Sequence, residues 1–236
     1  MKRFYKTVTT EPGTSGHALL LDGRPVKTPA RAPLVLPNAA MADAVAAEWA
    51  GQGEDIVIAS MPLTGFANAA IDQVSPQPQR FIDEIAAYAE SDTVCYRADD
   101  GDPLAEHQQR TWEPIVQWAE NRFDISLIRI PGIIHRSQPE HSLSRLKAAV
   151  AAYDPFVLAG LSTMTSMGGS LVCSLGLLEQ AFDSEAIWNA VCLEELWQEA
   201  LWGADRDAVA ARAYRRAVFD DAYRFCCIAR GSNPER

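Results

Sequence analysis

His17-Ala18-Leu19-Leu20-Leu21-Asp22-Gly23-Arg24-Pro25-Val26-Lys27-Thr28 decides the fold class of this chain. An apolar run and a second short run flank Asp-Gly, the dipeptide that suits both left-handed positions of a two-residue hairpin turn. Strands are therefore expected over residues 17–21 and 25–28. A third is expected over 4–9, so the first 36 residues read as sheet. Asn38 is placed to cap a helix over 39–52, in which Met41, Val45 and Trp49 recur every four residues as a buried stripe. Residues 56–58 read as a short buried strand or extended segment. Thr64 reads as the cap of a helix through Asp72, and Ser75-Pro76 as the cap and first turn of a helix burying Phe81, Ile82, Ile85 and Tyr88.

In the middle of the chain, strands are expected over 93–97 and 125–130. Between them a helix over 103–121 turns Trp112, Ile115 and Trp118 inward. From Gln138 onward only helices are expected, over 139–153, 155–167, 169–181, 184–202 and 205–230. Strands thus segregate toward the N-terminus and helices toward the C-terminus, the α+β pattern. The expected division is a β-rich domain over 1–60 and a mostly helical domain with two short strands over 61–236.

With 236 residues and 48% hydrophobic content there is ample material for a core. A net charge of -10 repels phosphate backbones, which argues against nucleic acid and anionic membranes as partners and favours a basic or neutral protein surface. Five cysteines, Cys95, Cys173, Cys192, Cys226 and Cys227, form no C-x-x-C pair and read as buried thiols of a reducing compartment. The charge-free stretch 155–178 has the length of a membrane span. Its serines, threonines and Gly168-Gly169 instead break it into two core helices, so no membrane insertion is expected. No export or organelle signal is visible, which suggests a bacterial cytoplasm, or the mitochondrial matrix for a processed eukaryotic form.

Sequence signatures of catalysis are missing. The chain lacks G-x-S-x-G, G-x-x-x-x-G-K-[ST] and a G-x-G-x-x-G following a strand. His17, His107, His135 and His141 are scattered, without the spacing of a zinc site, and no thiol has a local base. Gly168-Gly169-Ser170 reads as close helix packing, since no basic residue accompanies it as it would in a phosphate loop. Not an enzyme, no cofactor and no metal are the expectations.

The informative element is the expected helix 184–202. At 100° per residue, Glu195 falls within about 20° of both Trp188 and Trp202, and Glu194 falls among Ile187, Val191 and Leu201. Apolar residues cover most of the circumference, so carboxylates on this helix need partners. One reading pairs Glu194 and Glu195 with Arg212, Arg215 or Arg216 of the last helix. The other makes a carboxylate and the tryptophans an interface hot spot.

At these residues the chain resembles the ATP synthase assembly chaperones that bind the free α subunit of the catalytic head, in mitochondria and α-proteobacteria. The resemblance runs through Arg3-Phe4-Tyr5-Lys6, residues 23–29, Glu48-Trp49 with Gln52, and Met61-Pro62-Leu63-Thr64. It continues through Ala67-Asn68 with Ala70-Ile71-Asp72, Cys95-Tyr96-Arg97-Ala98, and Trp112-Glu113-Pro114 with Trp118. It closes on Glu194-Glu195, Trp197-Gln198 and Trp202-Gly203. Ala69 stands where the family leads one to expect Thr, Glu194 where Asp is expected, and Gly168 where Leu is expected. The resemblance implies an N-terminal β-containing domain, a helical C-terminal domain, no bound cofactor and no turnover. The partner it implies is the unassembled α subunit, masked until the β subunit replaces the chaperone. By resemblance the partner-binding residues are Glu195, ahead of Glu194, with Trp197, Gln198 and Trp202. Two other readings stay open: a small-molecule or nucleotide-binding enzyme with a pocket between the two domains, and a fold in which all the motif residues are structural.

Overall fold

The computed structural model of the chain describes residues 1–232. Strands β1 (Val8–Gly13), β2 (Gly16–Leu21), β3 (Arg24–Pro25) and β4 (Val35–Leu36) come first, followed by helices α1 (Ala39–Ala50), α2 (Pro62–Ala69) and α3 (Pro78–Ala86). Strands β5 (Tyr96–Arg97) and β6 (Ile130–Pro131) flank the long helix α4 (Pro103–Phe123). Six further helices complete the described chain: α5 (Glu140–Ala151), α6 (Pro155–Gly168), α7 (Leu171–Leu178), α8 (Ser184–Val191), α9 (Leu193–Trp202) and α10 (Arg206–Ala229). The architecture is α+β, a small N-terminal sheet followed by a larger helical region.

Packing groups the chain into two units. Among the described residues, one comprises Met1–Pro78, Asp154–Gly160 and residues 221–232; the other comprises Gln79–Tyr153 and Leu161–Asp220. These groups do not coincide with a division at residue 60. That division follows the change from strand to helix, whereas α2, which packs on α1, and the end of α10 belong to the same unit as the sheet.

In the first unit β2 is central. It pairs antiparallel with β1 on one edge, Val8 opposite Leu21, and with β3 and β4 on the other. Asp22 and Gly23 turn the chain at φ 49° and 76°, as the hairpin reading requires. The strand expected over 4–9 lies instead at Val8–Gly13, because side chains capture the backbone ahead of it. The Asp22 carboxylate accepts the N–H groups of Lys6 and Thr7 at 3.0 and 2.8 Å, and these bonds hold its pKa below the usual range. Asn38 caps α1 by accepting from Met41 N at 2.8 Å, and its amide donates to the carbonyls of Ile228 and Ala229 at the end of α10.

Thr64 is not a cap. Helix α2 begins at Pro62, and the carboxylate of Glu48 accepts the N–H groups of Leu63 and Thr64 and the Thr64 hydroxyl at 2.7–2.8 Å. The segment 56–58 is not a buried strand either. Only Ile56 is buried, while Val57 and Ile58 are exposed, since the Gln52 side chain takes the Val57 N–H and a tight turn starts at Ile58. Ser75 likewise belongs to the turn that ends the preceding helix, and α3 starts at Pro78.

In the second unit both expected strands shrink to two residues, paired in parallel as Tyr96 with Ile130 and Arg97 with Pro131. Side chains again take the backbone groups that a ladder would use. Ser142 bonds both N–H and C=O of Ser126, Glu120 accepts from Leu127 N, and Gln138 bonds both groups of Ile128. The charge-free stretch is two helices, as expected: Gly169 ends α6 at φ 66°, and Ser170 caps α7 by accepting from Cys173 N. Among the described residues no helix is long and apolar enough to cross a membrane. The five cysteines are buried free thiols, and burial pushes Cys95 up to about 12 and Cys192 up to about 11.

The fully buried Asp92 ties this region together. Its carboxylate accepts from Val94 N in a one-turn helix and from Val172 N in the first turn of α7. Desolvation outweighs those bonds and pushes its pKa up to about 6. In the unfolded chain the same group ionises near 3.9. Between those values only the folded state holds the proton, so this group's contribution falls as pH rises through the window. The stability of the wild type minus that of Asp92→Asn is therefore expected to drop by roughly 3 kcal/mol between about pH 3 and about pH 7, roughly two-thirds of it from pH 4 to 6, and to level off above. Urea unfolding across that range measures it, and a difference that rises with pH would reverse the assignment.

Candidate functional site

The expected single helix 184–202 is two helices. Cys192, at φ -97° and ψ 7°, leaves helical geometry, and the buried Trp112 indole donates to the Ala190 carbonyl at 2.7 Å just before it. A wheel drawn through the break misplaces two residues. Trp188 does not flank Glu195: it is buried, its ring 5.4 Å from Phe219 and covered by the Arg216 guanidinium at 5.5 Å. Glu194 does not lie in an aliphatic stripe: it is exposed and accepts from Gln108 Nε2 at 2.7 Å.

Helix α9 has two working sides. Toward α4 it presents Glu194 to Gln108, whose Oε1 accepts from Ala98 N at 2.7 Å, and Trp197, whose ring lies 5.6 Å from His107. Toward α10 it presents Glu195 and Glu199. Arg215 Nη2 reaches both Glu195 oxygens at 2.6 and 2.7 Å, Arg212 lies 3.9 Å from Glu195, and Arg212 also pairs with Glu199. The bond to Glu199 comes first among the causes that hold the Arg212 pKa above its ordinary value. Arg216 serves α8 instead, bonding Ser184 and Asp220. Internal pairing of Glu195 with Arg215 and Arg212, one of the two sequence readings, is what the fold contains.

At the end of α9 a surface groove of about 370 Å³ is bordered by Glu195, Gln198, Glu199, Trp202, Asp205 and Arg212. Gly203, at φ 89°, stops the helix, and Asp205 caps α10 by accepting from Ala208 N at 2.8 Å. Trp202 is 78% exposed, Leu201 58% and Tyr214 71%. Large side chains left in water on a capped, ion-paired frame can meet another protein without refolding. Of the expected site residues, Glu195, Gln198 and Trp202 share the groove, while Glu194 and Trp197 lie on the α4 side. Glu199 and Asp205 were not anticipated, and Arg212 was expected only as an ion-pair partner of the acids. The i, i+4 spacing of Glu195 and Glu199 was a usable signal for the first of them.

Comparison with known proteins extends over nearly the whole chain. A family profile described as ATP12 chaperone protein matches residues 2–120. The Schizosaccharomyces pombe protein atp12, mitochondrial, is 24% identical over 219 residues, spanning 88% of this chain and 75% of the relative. The crystal structure of Atp12 from Paracoccus denitrificans superposes with a TM-score of 0.93 at 35% identity, covering 97% of this chain and 98% of that one. The Atu1473 protein from Agrobacterium tumefaciens gives 0.91 at 36%, covering 95% and 85%.

Trp188, ahead of the helix break, and Trp202, at the far end of α9, separate packing from display. Trp188→Ala is expected to lower unfolding stability by about 3–5 kcal/mol, and Trp202→Ala to change it by less than about 0.5 kcal/mol. Urea titrations of both variants check this, and equal losses would show that Trp202 packs.

Proposed function

The chain belongs to the ATP12 chaperone family, and on that premise we propose that it is an ATP synthase assembly chaperone that binds the unassembled α subunit of the catalytic head. It covers the surface that the β subunit later takes, and it acts by binding alone, without turnover or cofactor. The observation that carries this reading is the exposed Trp202 beside Gln198 and the ion-paired Glu195. Tryptophan anchors surrounded by polar residues dominate protein interfaces, and an apolar intersubunit patch on a free subunit needs such a cover. Glu195, Gln198 and Trp202 form the centre of the contact, and Glu194 and Trp197 its α4-side margin. The net charge of -10 favours a basic or neutral client surface.

Co-expression with the cognate α subunit followed by size exclusion tests the partner and the site together. The wild type is expected to co-elute with α. Glu195→Lys is expected to lose the complex yet stay folded, because a half-exposed ion pair contributes only about 1 kcal/mol or less. Failure of the wild type to co-elute rejects the partner, and unchanged co-elution of the variant rejects the site.

A further inference from the structure

A cleft of about 680 Å³, distinct from the groove at the end of α9, is bordered by Arg97 and Pro131 of the two short parallel strands, by Arg129, and by Ala105, Glu106 and Arg110 of the N-terminal half of α4. Two of its arginines are in opposite situations. Arg129 is saturated: it reaches Glu113 at 2.6 Å, Glu120 at 2.5 Å and the Leu127 carbonyl at 2.7 Å. Those carboxylates hold its pKa above the ordinary value against the opposing effect of burial, and the Arg129 bond comes first among the causes that lower the Glu113 pKa.

Arg97 is only 9% exposed through its side chain, and its acidic partner Glu113 is 3.4 Å away with its better bond already given to Arg129. The Nε and Nη1 groups of Arg97 are buried and have no hydrogen-bond partner among the described residues. The Trp112 ring lies under one face of the guanidinium at 5.3 Å, so the fork is held in place. Orphaned donors on a buried cation are among the costliest defects a fold can carry, and folded proteins answer them with a ligand, an ion or water.

We propose that this cleft is a binding site for a small oxyanion, a carboxylate or phosphate group, that meets the Arg97 fork, with Arg110 closing the rim. Nε and Nη1 lie on different edges of the guanidinium, so a two-oxygen group meets one of them together with Nη2, which Glu113 holds only at 3.4 Å. The first turns of α4 form one wall, but the positive end of this helix adds no attraction, because the Asp102 carboxylate already caps it by accepting from Leu104 N at 2.8 Å. The other acids nearby do not cancel the charge of Arg97 and Arg110. Glu113 and Glu120 are engaged by Arg129, while Asp100 and Glu106 are solvent-exposed and screened. Arg110 is exposed, with His107 Nδ1 its near neighbour at 3.5 Å, and is free to turn toward an anion.

The test uses the full chain labelled with 15N-arginine, with the Nε–H resonance of Arg97 identified by its loss in Arg97→Lys. Sodium phosphate and sodium acetate are titrated separately against sodium chloride at matched ionic strength. A saturable shift of that resonance with either oxyanion is expected, and the anion that saturates distinguishes a phosphate from a carboxylate ligand. Arg110→Ala, which leaves the buried network intact, is expected to weaken binding by about tenfold. A shift that follows chloride, or none, overturns the proposal: the orphaned donors then hold water or an adventitious ion only.

Discussion

The hydrogen bond from the Trp112 indole to the Ala190 carbonyl, buried and 2.7 Å long, sits where one helix ends and another begins. Everything at the candidate surface follows from that break. Ahead of Cys192, Ile187, Trp188 and Ala190 are core. Beyond it only Leu193 of α9 is fully buried, and the remaining residues divide between α4 and α10. Arg212 and Arg215 hold α9 through its acids, and Arg216 holds α8 through Ser184. One basic helix face therefore fixes both helices on either side of the break.

Such ion pairs orient more than they stabilise. Half-exposed pairs are screened and add little to unfolding stability, but one Arg215 nitrogen bound to both Glu195 oxygens fixes the direction of that carboxylate. Because Glu195 and Glu199 are already neutralised, a client meets little uncompensated negative charge in the groove itself. Recognition there depends more on the apolar area of Trp202 and its neighbours than on local charge, and the overall acidity of the chain acts at longer range.

Local chemistry was legible in the sequence where it dominates. Asp22-Gly23 formed the expected hairpin, Asn38 the expected cap, and Gly168-Gly169 the expected interruption; Val191 and Phe219 fill the space beside Gly168. Legibility failed wherever a side chain distant in sequence took a backbone group. Glu48 capping α2, Ser142 and Gln138 replacing strand partners, and Trp112 at the Ala190 carbonyl all act across long separations. Most of these residues are polar yet buried or half-buried, so periodicity does not reveal them. Several fragments that carry the family resemblance, including Glu48, Gln52 and Asp72, are likewise spent on the fold: Asp72 accepts from Thr28 and from Ala30 N.

Helix α9 and the start of α10 are claimed as the surface that holds the client, and amide hydrogen exchange of the chain, free and bound to the α subunit, reads this most directly. Slowed exchange over residues 195–212, with the β1–β2 hairpin unchanged, is the expected result. Protection confined to the N-terminal sheet, with 195–212 exchanging as in the free chain, would contradict it.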